Sequence, residues 1–285
     1  MPHATACRSC AATSLESILK WEPPTPLGAA VVAGPGSNEE LAFCPSCTLV
    51  QRITPPNSSS QHGSVPGAEI AAWPSRQLVS QVIAAQKLRP TSLVVQIGSR
   101  DGRLLTDYLA AGIPVLGIEP AVRLAELARL EHGVPTLCRY FDKHLATHLF
   151  ACGQPADVVH LQGTLPLVAE LNAVVAGLPI LLKDTGVAVI EVPYVRAMLE
   201  RGDLWSAHHH ELSYFSFTSL ERLLKRHLMV IHDVERSADG GSSLRLFVGK
   251  RGQTSARVAA LLSEECAWGV DRPATYHPRR QSKVA

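Results

Sequence analysis

The stretch Val94-Val95-Gln96-Ile97-Gly98-Ser99-Arg100-Asp101-Gly102 decides the fold. It sits in SLVVQIGS (92–99), a short apolar run rich in β-branched residues, the pattern of a strand buried on both faces. The glycines let the backbone turn sharply and come close to a ligand. RLLTDYLAA (103–111) then reads as a helix. Gly98-x-x-x-Gly102 is a weak signal alone, and its partner strengthens it. Glu119 ends the next strand, 21 residues after Gly98, where a carboxylate can accept both hydrogen bonds of a ribose diol. The third glycine of the dinucleotide fingerprint is missing, which disfavours a pyrophosphate-bearing cofactor. On spacing alone, loop glycines beside a surface glutamate remain the alternative.

Outward from this turn, helix and strand patterns alternate. SRQLVSQVIAAQKL (75–88) has helical spacing and stops at Pro90. IPVLGIEP (113–120) is a second strand, and AVRLAELARLEHG (121–133) a helix ended by Gly133. ADVVHLQ (156–162) and GVAVIEVPY (186–194) are further strands. Between them, 169–183 reads as a helix with a break before Pro179. SLERLLKRH (219–227) is a helix, MVIHDVER (229–236) and LRLFVGK (244–250) are strands, and 254–267 is a terminal helix. This alternation predicts an α/β fold, a mostly parallel sheet with helices on both faces. The short loop between the last two strands leaves no room for a crossover helix, so the last strand should be antiparallel.

Residues 1–55 form a separate unit, and 56–74 a linker rich in Pro, Gly and Ser. Residues 75–268 form the main domain, and the polar, basic segment 269–285 is expected to fray as a tail. Seven cysteines divide into two pairs, Cys7-x-x-Cys10 and Cys44-x-x-Cys47, and three scattered residues, Cys138, Cys152 and Cys266. The pairs can close a four-thiolate tetrahedral site that suits structural zinc and leaves no open position for catalysis. A small unit with little core of its own would gain folding energy from the metal. The gap of 33 residues (11–43) exceeds the usual ribbon spacing, so unligated buried or redox thiols stay open. The scattered cysteines read as small buried hydrophobes. His144, His148 and His160 read as ordinary helix and strand residues.

The 285 residues carry 27 Lys and Arg against 25 Asp and Glu, a net charge of +2. Hydrophobic residues make up 46% and charged residues 18%, which excludes a disordered chain. The balanced charge argues against nucleic acid as a partner. No uninterrupted apolar stretch reaches 18 residues, so no membrane span is expected. The N-terminus lacks the apolar core of a secretory signal. The chain reads as a cytoplasmic globular protein.

With these motifs together, the chain resembles class I S-adenosylmethionine-dependent methyltransferases. More narrowly, it resembles the zinc-containing C-methyltransferases that act on nucleotide-linked deoxysugars. The resemblance is carried by CRSCAATSLESIL (7–19), CPSCTLVQ (44–51), IGSRDGRLL (97–105) and VLGIEPA (115–121), and later by GVAVIEVPY, HELSYFSFTSL and DVERSADGGSSLR. It implies S-adenosyl-L-methionine as cofactor, structural zinc on Cys7, Cys10, Cys44 and Cys47, and a small natural-product or sugar-nucleotide substrate. Gly98, Ser99, Asp101 and Gly102 would face the methionine part, Glu119 the ribose, and Pro120 the adenine pocket. Tyr140 and Phe141 would border the adenine, and Gln162 the methionyl end. Monomer and homodimer both stay open.

The resemblance implies C-methylation, in which a base removes a proton beside a ketone and the enolate attacks the methyl group. The family's Tyr-His-Glu-His motif falls on His208, His209, His210 and Glu211. His209 matches, and the acid–base pair survives in swapped order as His210 and Glu211. These residues are the candidate catalytic group, beside the alternatives of a polar loop or an incidental metal site. A second family histidine falls on Leu167, and the family's tyrosine-rich segment is replaced by SSSQHGSVPGAEIAAW (58–73). Gln96 stands where the family usually has Glu, and Arg100 where it has Asn. Glu191 could be catalytic or a structural anion. The family also continues into a C-terminal lobe beyond the point where this sequence stops. These departures leave two further readings: a cofactor-binding protein of the same fold that no longer transfers methyl, and a zinc-ribbon module.

Overall fold

The computed structural model describes residues 5–21, 39–53, 75–202, 204, 211–237 and 241–277. His208, His209 and His210, and the whole of the expected linker 56–74, lie outside the described residues.

Seven strands form the main sheet: β4 (Val94–Ile97), β5 (Val115–Ile118), β6 (Thr136–Leu137), β7 (Ala156–Gln162), β8 (Leu182–Pro193), β10 (Val230–Arg236) and β11 (Ser243–Gly249). Their order is β6-β5-β4-β7-β8-β11-β10. All neighbours from β6 to β8 are parallel, and β11 is antiparallel to both β8 and β10. This is the α/β architecture expected from the sequence, with the last strand reversed. The chain order turns around between β4 and β7, which places the topological switch point beside Gly98.

Side chains alternate across each strand and sort the helices into two layers. Val94, Val158, Val187 and Val189 face α1 (Ser75–Gln86), α2 (Arg103–Ala110) and α3 (Val122–Leu130). Val95, Ile97, Val159, Leu161, Ala188 and Ile190 face the opposite layer of α4 (Lys143–Ala151), α5 (Leu171–Leu181), α7 (Phe217–Arg226) and α8 (Ala256–Trp268). Helix α5 runs through Pro179 instead of breaking before it. Proline there has no N–H to donate to the Val175 carbonyl one turn earlier, so α5 forfeits one hydrogen bond, and it ends two residues later at Leu181.

A second, antiparallel sheet has the order β1-β2-β3-β9, from Glu16–Trp21, Glu39–Phe43, Val50–Arg52 and Ser213–Tyr214. Its fourth strand comes from the main part of the chain, far downstream of β3 in sequence. Phe43, Val50 and Tyr214 pack with Val195 and Met198 of α6 (Val195–Arg201) and with Tyr276. Tyr276 lies within the segment expected as a tail, yet it is fully buried against Phe43, with ring centroids 5.0 Å apart. The cysteine pairs join the main core: Cys7, Cys44, Cys47 and Leu49 belong to the same apolar cluster as α5 and α7.

Candidate functional site

The carboxyl ends of β4, β5, β7 and β8 form one edge, and most of the expected cofactor residues stand on it. Gly98 follows β4 at φ +69, a left-handed conformation that favours glycine. Its N–H and that of Ser99 both donate to the Ile118 carbonyl, at 2.8 and 3.2 Å, which locks the loop to β5. A side chain at Gly98 would sit 2.6 Å from Thr164 Oγ1, which itself donates to the Ile97 carbonyl. Gly102, at φ +81, opens α2 without a side-chain cap.

Glu119 is buried at the end of β5. One carboxylate oxygen accepts the Arg100 N–H at 2.9 Å, and the other accepts the Ala121 N–H at 2.9 Å. The carboxylate thus fastens the glycine loop to the start of α3. Each oxygen keeps a second lone-pair site, so the group can accept a diol while it braces the loop. Arg100 takes a left-handed conformation at φ 52, uncommon for a side chain of its kind. Asp101 pairs with Arg103 at 2.7 Å and receives His132 Nδ1 on its carbonyl at 2.6 Å.

Four expected cofactor residues take more specific positions. Ser99 is buried, its Oγ has no hydrogen-bond partner among the described residues, and its side chain stands over Gly117, where a β-carbon would lie 2.7 Å from Oγ. Phe141 is packed against Gly177 of α5, whereas Tyr140 beside it is 75% exposed. Pro120 follows Glu119, and its carbonyl receives the Cys138 thiol at 3.6 Å.

Gln162 ends β7, in register with Glu191 on β8. Its amide nitrogen donates to Glu191 Oε2 at 3.0 Å, and Arg245 Nε donates to Glu191 Oε1 at 2.8 Å. Glu191 is 2% and Arg245 3% exposed. Arg245 is the partner that sequence reasoning missed. The signal was there: one arginine at an alternating position in the apolar run Leu244-Arg245-Leu246-Phe247. On the same face, His160 bonds the Tyr108 hydroxyl at 2.8 Å. Burial, aided by the Arg245 charge, holds the His160 imidazole down at about 3.

Glu211 is half-buried and precedes Leu212, whose N–H donates to the Pro166 carbonyl at 2.7 Å. This seats Glu211 beside the short 3-10 turn Leu165–Leu167 that follows β7. Leu167, on that turn, is largely exposed.

The four sulfurs of Cys7, Cys10, Cys44 and Cys47 all lie within 4.8 Å of one another. Cys7 and Cys47 are 3.4 Å apart, and Cys10 and Cys44 3.5 Å. Tetrahedral zinc with bonds of about 2.3 Å would space its sulfurs by about 3.8 Å, so the donor set fits that metal. Burial pushes the Cys44 thiol up to about 11, and the Cys7 contact with burial pushes Cys47 higher still. Thiolates at this centre therefore call for a cation. Sequence reasoning missed the contacts that dock the knuckles. Asn172 Nδ2 donates to the Arg8 and Ser9 carbonyls at 2.8 and 3.0 Å, and His227 Nε2 donates to Asn172 Oδ1 at 2.8 Å.

Strand order, glycine turn and acidic residue after β5 together define the Rossmann-like methyltransferase fold. A crystal structure of an S-adenosylmethionine-dependent methyltransferase from Clostridium acetobutylicum superposes with a TM-score of 0.50 at 10% identity, covering 62% of this chain and 91% of that one. Magnesium protoporphyrin IX methyltransferase from Synechocystis, solved with bound SAH, has a TM-score of 0.49 at 16% identity, over 62% of this chain and 82% of that one. In sequence, the chain is 28% identical over 198 residues to the C-methyltransferase NovU of Streptomyces niveus, covering 68% of this chain and 47% of NovU. The chain thus spans about half the length of that curated relative. No protein-family model matches it. No described helix is long and apolar enough to cross a membrane.

Proposed function

We propose that this chain binds S-adenosyl-L-methionine at the carboxyl edge of β4, β5 and β7 and C-methylates a small natural-product or sugar-nucleotide substrate. The observation that carries the reading is the Glu119 carboxylate, held by two backbone N–H groups with acceptor capacity left for a ribose diol. The backbone at Gly98, Ser99 and Gly102, with Asp101, would hold the amino-acid portion. Pro120 and the exposed Tyr140 would border the adenine, with Phe141 supporting Tyr140 from the core. Gln162 would meet the methionyl end. The relative named a C-methyltransferase supports the choice of a carbon nucleophile.

The bound cofactor supplies an electrophilic methyl group. The chain's own task is to generate the nucleophile. A base at Glu211, with His209 and His210 in the adjoining segment, removes the proton beside a substrate ketone. The enolate carbon so formed would be the acceptor for the methyl group that the bound cofactor supplies. Zinc on Cys7, Cys10, Cys44 and Cys47 would be structural, because four sulfurs leave no coordination position open.

Leu167 favours a second reading. It is an exposed apolar residue on the turn beside Glu211, where the resembling family carries a histidine. In that reading the cofactor binds but no methyl is transferred. Incubation with methyl-labelled cofactor and a panel of keto-sugar nucleotides tests both. Labelled product supports transfer. Cofactor recovered intact, with the complex formed, supports the second reading.

A further inference from the structure

Gln162 carries one amide that must choose which end to present to the cofactor edge, and a buried ion pair makes the choice. Glu191 and Arg245 face each other in register across β8 and β11. The Arg245 guanidinium is permanently charged, and it donates to Glu191 Oε1 at 2.8 Å. A carboxylate in such a pair only accepts hydrogen bonds. The Gln162 group that faces Oε2, at 3.0 Å, must therefore be its NH₂. The amide carbonyl oxygen is left turned away from Glu191, with no protein partner among the described residues. Register places this oxygen at the switch point, since Leu161 pairs with Ile97 and Gln162 is level with Gly98. Gln96 lies on the same sheet face as the diagonal neighbour of Gln162, buried, and its own Oε1 also lacks a hydrogen-bond partner among the described residues. This edge of the sheet thus has acceptor oxygens in want of a donor.

We infer that Glu191 and Arg245 are positioning residues that fix the polarity of the Gln162 amide, so that its carbonyl oxygen receives the α-ammonium group of the cofactor's amino-acid portion. The inference rests on the proposed cofactor reading and goes beyond it. It assigns the buried pair a role in ligand selectivity, and it assigns Glu191 no direct contact with the ligand. Glu191→Gln makes the role visible. The carbonyl of the substituted amide would still accept from Arg245, but its NH₂ would now donate toward Gln162. The Gln162 amide then turns over and offers N–H groups to the ammonium.

The test is calorimetric titration with two ligands. S-adenosylhomocysteine carries the amino-acid portion, whereas 5′-methylthioadenosine has the same nucleoside and a thioether without it. In Glu191→Gln, affinity for S-adenosylhomocysteine should fall by about tenfold or more, the scale of a lost hydrogen bond to a charged group. Affinity for 5′-methylthioadenosine should stay within about twofold. Adding Gln162→Glu to this variant should restore S-adenosylhomocysteine binding, because the new carboxylate accepts from both sides. If Glu191→Gln does not fold, Gln162→Leu should show the same selective loss. Equal weakening of both ligands, or no change in either, would overturn the inference while leaving the cofactor reading intact. A wild-type chain that binds neither ligand would overturn both.

Discussion

The Arg8 guanidinium, set between the first two cysteines, donates to the main-chain carbonyl of Leu212 at 3.4 Å. The same group donates to the Arg52 carbonyl, and Arg52 in turn donates its N–H to Leu212 at 3.0 Å. The cysteine knuckle, β3 and the segment just after Glu211 are therefore one hydrogen-bonded unit. Arg226 bonds the Ser9 hydroxyl and ties the knuckle to α7 as well.

This unit predicts how the metal should behave. Cys44→Ser should abolish binding of one zinc per chain and raise hydrogen exchange at the β9 amides of Ser213 and Tyr214. Cys152 is exposed, not buried as its type suggested, and Cys152→Ser, outside the cluster, should keep the zinc. Metal analysis with exchange mass spectrometry reads both. Unchanged zinc in Cys44→Ser would contradict the four-cysteine centre.

The glycine loop stores backbone strain at Arg100, whose φ of 52 is costly for a long side chain. Asparagine adopts this conformation more readily. Arg100→Asn should stabilise the fold by up to about 1 kcal/mol. Urea denaturation should show a higher midpoint at unchanged slope, and a lower midpoint would refute the strain.

Buried His160 makes stability sensitive to acid. Its folded pKa is held at about 3 by burial and Arg245, against the usual 6.5. Between those values the unfolded chain binds a proton that the folded chain does not. Stability should therefore fall as pH drops through 6.5 toward 3. In His160→Gln, melting temperature should fall less steeply between pH 7 and 4.5. Parallel curves for variant and wild type would show that His160 is not the source.

Tyr276 closes the small sheet's core, packed on Phe43 and Trp268 with its hydroxyl donating to the Val270 carbonyl at 2.9 Å. Tyr276→Ala should cost about 3–5 kcal/mol, the scale of removing a fully buried large aromatic. A loss below about 1 kcal/mol in urea denaturation would place Tyr276 outside the cooperative core.

What the sequence could tell depended on whether the cause was local. β4 and β7 were legible because short runs rich in apolar, β-branched residues mark strands buried on both faces. The Gly98 turn was legible because its left-handed backbone favours glycine, and Glu119 stood out as a charge closing an apolar strand. β6 and β9 have only two residues each, and no periodicity can reveal so short a strand. β9 exists because the chain returns to pair Val50 with Tyr214 and Gln51 with Ser213, a tertiary event. Tyr276 sits in a polar segment whose composition suggests fraying, and its burial comes from packing partners far away in sequence. Glu191 was visible as a charge at a strand end, but its role needed Arg245, which only the antiparallel insertion of β11 brings alongside.

The measurement to make first is calorimetric titration of S-adenosylhomocysteine into the wild-type chain and into Glu119→Ala. The wild type should bind one ligand per chain. The variant should lose affinity by about tenfold or more, because it gives up both the proposed ribose acceptor and the brace on the Arg100 loop. No binding to the wild type, or equal binding to both proteins, would contradict the assignment of this edge as the cofactor site.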